Sequence, residues 1–515
     1  MSAEKADFVI GSGPAGISVA RALLDAGRKV VLVDDGKRAE PEALARRDTM
    51  AASDPATWTR AARAAYMAPQ FAAPPGQVRR YGSDFAMELA DATFASAPPD
   101  FALRASRAAG GLSNLWGAAV LPYAQSDMAG WPIGEADLAP HYRAVATFVP
   151  IAGRTDDLAG LFPALSIDDC TSIEPSPQAR TFLARLGAAK PGLNRLGIRA
   201  GAARQAVAAG CRQCGLCLHG CPWSLIYSAQ SSLDDLRGHP RLTYRPGSVV
   251  THVSEDDGGV RLGLSNGQAE TGGRVFLAAG VLETARLLLA SELVAGERLT
   301  LRDSQHAFLP ALQWRFNRVA PDRPPYHTLP QAFLELGDAA ISPFLVHAQI
   351  YTWNEHFAAD LVANYGRLPG SAPLLRQLAR RLVVAQIFLH SAHSARLHLR
   401  LAADGRLDAS IEPSPDTGAV LAGAAERIGA ALALGGLRAL TFARRDGAPG
   451  SSFHVGASLP MTSTPKAGQS DPLGRPAGLR RIHVVDASVL PAVPATTITF
   501  SVMANAHRIG TAACA

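Results

Sequence analysis

The sequence has little of what marks the specialised classes of protein. Among its 515 residues no apolar run reaches the roughly 20 that a membrane-crossing helix needs. The most apolar late stretch, 422–443, is broken by Glu426, Arg427 and Arg438 and is expected to form a buried helix. The N-terminus runs straight into a strand, Asp7–Gly11, with no room for a signal peptide. Cytoplasmic residence is the default expectation, with periplasmic export of the folded chain on a partner's signal left open. Lysine is scarce, five of the 50 basic residues, and the net charge of +6 is modest. No basic run is interleaved with aromatic residues, so a nucleic-acid partner is not expected. Cysteine is scarce too, six in all, but four fall between positions 211 and 221. That clustering argues for a metal or cluster site over a disulfide framework. Cys170 and Cys514 stand apart and look incidental.

What is present is a long chain, 48% hydrophobic and 18% charged, sufficient for two domains' worth of core. It opens strand, turn, helix, strand. Phe8–Ile10 is apolar, Gly11-Ser-Gly-Pro-Ala-Gly16 is the turn, Ile17–Ala26 is helical, Gly27 stops it, and Lys29–Val33 is the second strand. Gly11 permits the tight turn, Gly13 lets the backbone approach a pyrophosphate, and Gly16 allows helix and strand to pack closely. The helix N-terminus faces the phosphates, and Asp34 ends the second strand where an acid can accept ribose hydroxyls. The motif makes a dinucleotide site and does not by itself separate FAD from NAD.

Residues 37–100 look like excursions over this first unit, and a second Gly-rich turn stands at Gly110-Gly111. Val249–Gly280 reads as a small hairpin unit ending in a buried strand. The stretch 301–400 holds most remaining aromatic residues and many histidines. The alternation at Ala395–Leu401 predicts a separate sheet with one wet face. From Ser451 the chain returns to tight turns and buried strands.

Four separated segments resemble the glucose–methanol–choline (GMC) oxidoreductases. They are the opening fingerprint through Asp34-Asp35-Gly36, the loop Gly110-Gly-Leu-Ser-Asn-Leu-Trp-Gly117, the strand and turn Val275–Gly280 with Leu282–Leu289, and the closing stretch Val484–Pro491 with Thr496–Ile509. The second of these, with Gly130–Tyr142, is most similar to the branch that oxidises sugars and sugar acids. The resemblance implies an α/β protein: a Rossmann-like FAD-binding domain with a parallel sheet, plus a substrate domain on a mostly antiparallel sheet with helices. The expected division is FAD-binding 1–130 with its excursion 37–100, substrate or cap region 131–205, FAD-binding 206–300 with the Cys-rich loop 211–222, substrate-binding 301–450, and a closing FAD-binding segment 451–515. The implied cofactor residues are Gly11, Gly13, Pro14, Ala15, Gly16, Asp34, Asp35, Gly110, Gly111, Ser113, Asn114, Trp116, Val250, Ala279, Gly280, Asp486, Ala487, Thr497, Ile498 and Thr499. Some relatives attach the flavin through a His in the second loop. Leu115 stands at the matching position, so non-covalent FAD is expected.

Oxidising an alcohol by hydride transfer to flavin N5 needs a base for the hydroxyl proton, and imidazole suits that task. The family places a His seven residues before a Met; Ser452-Phe-His454-Val-Gly-Ala-Ser-Leu-Pro-Met461 supplies His454 at that spacing. The family's second His or Asn falls on or near Ala495, so that partner is missing or replaced. Thr496 or Thr497 can hydrogen-bond a substrate oxygen, but neither is a base at neutral pH. His347, His390, His393 and His398 are further candidates, each read first as structural.

Cys211-x-x-Cys214-x-x-Cys217-x-x-x-Cys221-Pro222 has ferredoxin-like spacing. Gly215 and Gly220 let the loop turn. Either four thiolates hold a 4Fe–4S cluster or three hold a 3Fe–4S cluster, and a zinc site or a vestigial loop stays open. The related sugar dehydrogenases that feed a cytochrome carry a cluster in the matching region. The leading expectation is an FAD dehydrogenase for a CH–OH group of a sugar, glycoside, polyol or other secondary alcohol, passing electrons to a cytochrome, quinone or small partner subunit. An oxygen-using alcohol oxidase with a structural Cys loop is the alternative, and so is a non-redox or lyase-type use of the fold.

Overall fold

In the computed structural model the described residues are 5–68, 79–165, 170–294, 296–313, 326–353, 359, 361–363, 366 and 370–515. The opening segment forms as its periodicity dictates. The apolar strand Asp7–Ile10 is buried on both faces. It pairs in parallel with Val30–Val33 on one side and Val275–Leu277 on the other. Leu242–Arg245 and Ile482–Val484 complete a five-stranded, wholly parallel sheet in the order 482, 275, 7, 30, 242 by first residue. The helix Pro14–Asp25 starts on Pro, whose fixed φ suits a first turn, and lies against the closing helix Thr499–Ala512. Gly510 makes that contact close, because a Cβ there would stand 3.0 Å from both Ala22 Cβ and Val19 Cγ2. A three-stranded antiparallel unit, Val250–Asp256, Gly259–Leu264 and Ala269–Gly272, precedes the buried strand Val275–Leu277, as expected for 249–280.

The second large sheet is antiparallel throughout. Its order is Leu437–Ala439, His306–Gln313, Leu382–Phe388, Val346–Tyr351, Ala332–Leu336, Ile198–Ala202, with Arg445–Asp446 alongside His306–Gln313. One face is small and aliphatic: Ala307, Leu309, Ala311, Leu334, Ala348, Ala385 and Ile387. It packs on the helix Thr417–Leu434 through Val420, Leu421, Ala424, Ile428 and Leu432. That helix is the apolar stretch expected at 422–443. It begins five residues earlier and stops at Gly435-Gly436, so Arg438 falls on the next strand. Among the described residues it alone is long and apolar enough to cross a membrane, yet here it covers the sheet.

The other face carries the polar and aromatic residues of the same strands and looks toward the first domain. The wet-faced strand expected at 395–401 is not part of this sheet. Arg396–Leu401 belongs to a further five-stranded sheet with Arg298–Asp303, Leu407–Glu412, Phe94–Ser96 and Val455–Gly456. Leu397 and Leu399 point inward, while Arg396 and Arg400 are exposed. The architecture is thus mixed α/β, with a parallel sheet in one part and mostly antiparallel sheets in the other, the Leu407–Glu412 and Phe94–Ser96 pair being parallel.

Candidate active site

A cavity of about 480 Å³ runs between the parallel sheet and the polar face of the antiparallel one. It is lined by Gly11, Gly13, Pro14, Ala15, Asp34 and Asp35, by Gly111, Ser113, Leu115, Trp116, Val250, Ala279 and Gly280, and by His454, Asp486, Ala487, Thr497, Ile498 and Thr499. The chain therefore brings together side by side residues that are more than 480 positions apart in sequence.

Each part has a local cause. Gly11 adopts φ +97°, and a Cβ there would strike the Ala278 carbonyl at 2.6 Å. Gly16 does not line the cavity. Its missing Cβ would sit 1.9 Å from the Gly11 carbonyl oxygen, so this glycine packs helix against turn. At Gly13 a Cβ would meet nothing within 4 Å, because the position faces open cavity. Asp34 accepts hydrogen bonds from Ser12 Oγ, Ser12 N (3.2 Å) and Gly36 N (3.2 Å). Burial nevertheless raises its pKa to about 6. Ser12 Oγ also accepts from Gly110 N at 2.9 Å, tying the second loop to the first; Gly110 itself lies off the cavity at φ +84°.

Asn114 is buried and braces the second loop. Its Nδ2 donates to the Ala109 and Gly111 carbonyls (2.9 and 2.8 Å), and its Oδ1 accepts from Ser228 Oγ (2.9 Å) and Arg80. Asp486 lines the cavity, but its carboxylate is engaged within the protein. Oδ2 accepts from Gly280 N (3.0 Å) and Thr284 Oγ1 (2.5 Å), and Oδ1 from Ser488 N (3.0 Å). It joins the closing stretch to the helix Val281–Ala290, and burial raises its pKa.

His454 reaches the cavity beside Phe388, their rings stacked at 4.9 Å and 22°. Its Nδ1 is enclosed without a partner, which leaves Nε2 as the nitrogen presented to the cavity. Burial, with the charges that His347 and His306 can carry, lowers its pKa to about 3. The imidazole is therefore neutral at neutral pH and able to accept a proton. Of the two threonines, Thr497 lines the cavity but its Oγ1 accepts from Leu121 N at 2.9 Å. Thr496 is fully buried off the cavity with Oγ1 unpartnered.

His347 is buried behind Phe388. His390 stacks on Phe344 at 3.7 Å, His393 pairs with Asp416, and His398 with Glu412. None of these four lines the cavity. Gln349, Tyr351 and Gln386, on the antiparallel sheet that carries Phe388, do line it. Gln349 and Gln386 are register partners, and Tyr351 OH donates to Gln349 Oε1 at 2.7 Å. The alternation His347, Gln349, Tyr351 along one strand was their only signal in the sequence.

The cysteine loop lies beside the second loop. Gly215 and Gly220 take φ +73° and +96°. Tyr81 N donates to the His219 carbonyl at 2.7 Å, while the adjacent Arg80 holds Asn114. Cys217 Sγ accepts from Thr328 N at 3.4 Å. Burial pushes the Cys214 and Cys217 thiols up to about 12 and raises Cys211. Among the described residues no group of three or more His, Cys, Asp or Glu is gathered so that it could hold a metal ion. The expected metal centre at Cys211, Cys214, Cys217 and Cys221 is thus not met by a ready ligand set. These thiols are held in separate packing and backbone contacts.

Residues 393–506 match the family model described as GMC oxidoreductase. Over the whole length the fold is similar to a crystal structure of pyridoxine 4-oxidase from Mesorbium loti, with a TM-score of 0.59, 16% identity and 98% of each chain covered. No curated protein sequence compared with the chain matches it. Residues 393–506 thus match the GMC oxidoreductases, a family whose members bind FAD, and the whole-chain similarity is one of fold. The cavity is compatible with such a cofactor: Gly13 faces it with no Cβ, Asp34 lines it, and two helix N-termini, at Pro14 and Thr499, open on it.

Proposed function

We propose that the protein oxidises a CH–OH group in a polyhydroxylated small molecule, with His454 as the base. FAD, when bound, supplies the acceptor for the hydride leaving the substrate carbon. Gly11–Gly16 and Asp34 would hold its dinucleotide end, with the second loop and Ala487–Thr499 along the rest. The supporting observation is the placement of His454. Its neutral Nε2 opens on the same cavity as the dinucleotide turn. There it accepts the hydroxyl proton, while stacking on Phe388 fixes the ring plane. Gln349, Gln386 and Tyr351 orient further hydroxyls from the opposite wall and discriminate against substrates lacking them. With Leu115 in the second loop, no nucleophile is offered there for a covalent link.

A panel of sugars, sugar acids, polyols and secondary alcohols added anaerobically tests the reading by bleaching of the flavin band. Bleaching by polyols but not by simple alcohols is expected, and Gln349→Leu should raise KM about tenfold or more. If nothing with a CH–OH group bleaches the flavin, the redox reading fails and the lyase-type one takes its place.

The same proposal takes the electrons out through the cysteine loop to a one-electron carrier. Two observations favour it. Cys221 lies near enough to oppose ionisation at Cys211 and Cys214, and Cys211 and Cys214 do so at Cys217; the loop is joined to the cavity's second loop through Tyr81-Arg80-Asn114. A cluster spaces its thiolate ligands around its own iron and sulfide, farther apart than ligands of a single ion. Protein purified anaerobically is then expected to contain on the order of three to four irons per chain, with matching sulfide. A content below roughly half an iron per chain favours direct reoxidation by oxygen, which the name of the similar pyridoxine 4-oxidase keeps as the second reading.

A further inference from the structure

Three arginines line the cavity, and two of them have a carboxylate partner. Arg286 Nε lies 2.8 Å from Glu283 Oε2, and Arg107 Nε lies 2.8 Å from Glu88 Oε1. Arg104 has no such partner among the described residues. Its Nη1 donates to the Phe101 and Leu103 carbonyls, at 2.9 and 2.8 Å. Nε and Nη2 donate to no acceptor among the described residues, and neither is enclosed, whereas Nε of Arg21, Arg46 and Arg79 is. The edge left open is the one by which a guanidinium takes an oxyanion in two parallel bonds.

The acids of the cavity wall do not neutralise this charge. Glu283 is committed to Arg286, Asp486 to Gly280, Thr284 and Ser488, and Asp34 to Ser12 and Gly36. Burial lowers the pKa of Arg104, and no acid works against it. At Arg107 burial acts in the same direction, but Glu88, Glu283 and Asp35 more than offset it. A partly buried cation without a counter-ion costs desolvation that nothing in the chain returns, so its retention calls for a reason outside the chain.

The place of the guanidinium says what that reason is. Its two carbonyl contacts hold it back along 101–103, the stretch that packs on the loop presenting His454. Ala102 N donates to the Pro449 carbonyl at 3.1 Å, and a Cβ on Gly450 would stand 2.9 Å from Leu103 Cβ. Asp303 pins the same loop through Gly450 N (2.7 Å) and Ser452 Oγ (2.9 Å). Phe453, next to His454, lines the cavity at φ +58°, a strained backbone for an aromatic residue. The dinucleotide turn is met only further along, where Lys37 N donates to the Arg107 carbonyl at 3.1 Å and a Cβ on Gly111 would stand 3.6 Å from Gly13 Cα. Arg104 thus belongs to the His454 side of its segment.

Resting on the reading of His454 as base, we propose that Arg104 anchors an acid group of the substrate, so that the site takes a polyhydroxylated acid, a carboxylate or a phosphate ester, in preference to its neutral counterpart. Nε and Nη2 hold the oxyanion while His454 meets the hydroxyl to be oxidised. Arg104 takes no part in the hydride or proton transfer. The contact is the same before and during the chemical step, so it acts on KM and leaves kcat alone.

Anaerobic flavin reduction of the holoenzyme by matched pairs tests this: an aldonate against its alditol, and a sugar phosphate against its free sugar. The acid of one pair is expected to have a KM about 10- to 100-fold lower, the range of a charge-assisted contact. Arg104→Gln should remove that difference, with kcat and the KM of the neutral partner within about twofold and FAD content unchanged. Arg104→Lys, which keeps the charge and loses the fork, should restore part of it. Propionate and inorganic phosphate, which carry no oxidisable hydroxyl, tell the two acids apart, since only the matching one should compete with substrate, and only in wild type. In wild type the KM of the acid, and not of its neutral partner, should rise with salt. Equal KM values within both pairs overturn the proposal, as does an Arg104→Gln protein that keeps the preference. FAD lost from that variant makes Arg104 a cofactor ligand, and equal loss on acid and neutral partners makes it a brace of the 101–103 turn; either result overturns the proposal too. If no CH–OH compound, acidic or neutral, bleaches the flavin, the reading of His454 has failed; if neutral polyols bleach it as readily as acids, only the role of Arg104 has.

Discussion

His454→Ala is expected to slow flavin reduction by about 10²- to 10⁴-fold, the range a positioned proton acceptor contributes, while FAD remains bound at the wild-type ratio. The two halves of this expectation have different structural sources. The residues proposed to face FAD come from the parallel sheet, its turns, the second loop and the closing segment, and none of them depends on the imidazole. The imidazole rests instead on Phe388 of the other sheet. Stopped-flow bleaching under anaerobic conditions separates reduction from reoxidation, and the visible spectrum reports FAD content. Normal reduction by the variant would sink the assignment.

The pH profile adds a second check. Burial lowers His454 to about 3, so its base form persists well below the 6.5 of a free imidazole. The acid limb of the reduction rate should therefore lie well below pH 6.5. His454→Ala should remove that limb along with the rate. An acid limb centred at 6.5 would mean that His454 is hydrated or that another group is the base.

Gly13→Ala and Gly16→Ala should fail in opposite ways. At Gly13 the added methyl meets no protein atom, so the fold and the thermal transition of the flavin-free protein are expected to stay as in wild type. The methyl occupies the surface that a pyrophosphate must approach, and FAD content should fall at least tenfold on purification. At Gly16 the methyl would stand 1.9 Å from the Gly11 carbonyl oxygen, a backbone atom that cannot step aside without opening the helix from the sheet. That variant should lose about 3 kcal/mol or more of stability, and FAD only as a consequence. Calorimetry of both apoproteins with flavin content alongside distinguishes the two. A Gly13→Ala protein that keeps its FAD would show that the turn is not the pyrophosphate site.

The parts of the molecule that could be read from sequence are those whose cause is local. The opening fingerprint carries its strand, turn, helix and acid within 36 residues, so its pattern is visible locally, although Gly11 also makes room for the distant Ala278. The α/β class followed from the family resemblance that this fingerprint and three later segments carry. Gln349 and Gln386 could not be found this way. Which side of a strand looks into a cavity is decided by the helix Thr417–Leu434 on the far face, dozens of residues away. Arg396–Leu401 showed its alternation plainly, but alternation does not say which sheet a strand will join. His347 was visible as a histidine; that its partner is Glu335 depends on cross-strand register. The cysteine spacing was the most conspicuous motif of all, yet spacing fixes the order of ligands along the chain and not the distances between sulfurs.

The strand order of the parallel sheet has a consequence for how the protein is made. The strand at Ile482–Val484 is the last to be synthesised, and it sits at the sheet's edge beside Val275–Leu277, one strand from the N-terminal Asp7–Ile10. Part of the cavity wall, at 10–35, is therefore made early in translation, and another part, at 452–502, hundreds of residues later. A nascent chain holds the glycine turn for hundreds of residues with no roof above it. A site walled in this way is incomplete until both segments are present, so truncation before Thr499–Ala512 is expected to remove part of the cavity wall.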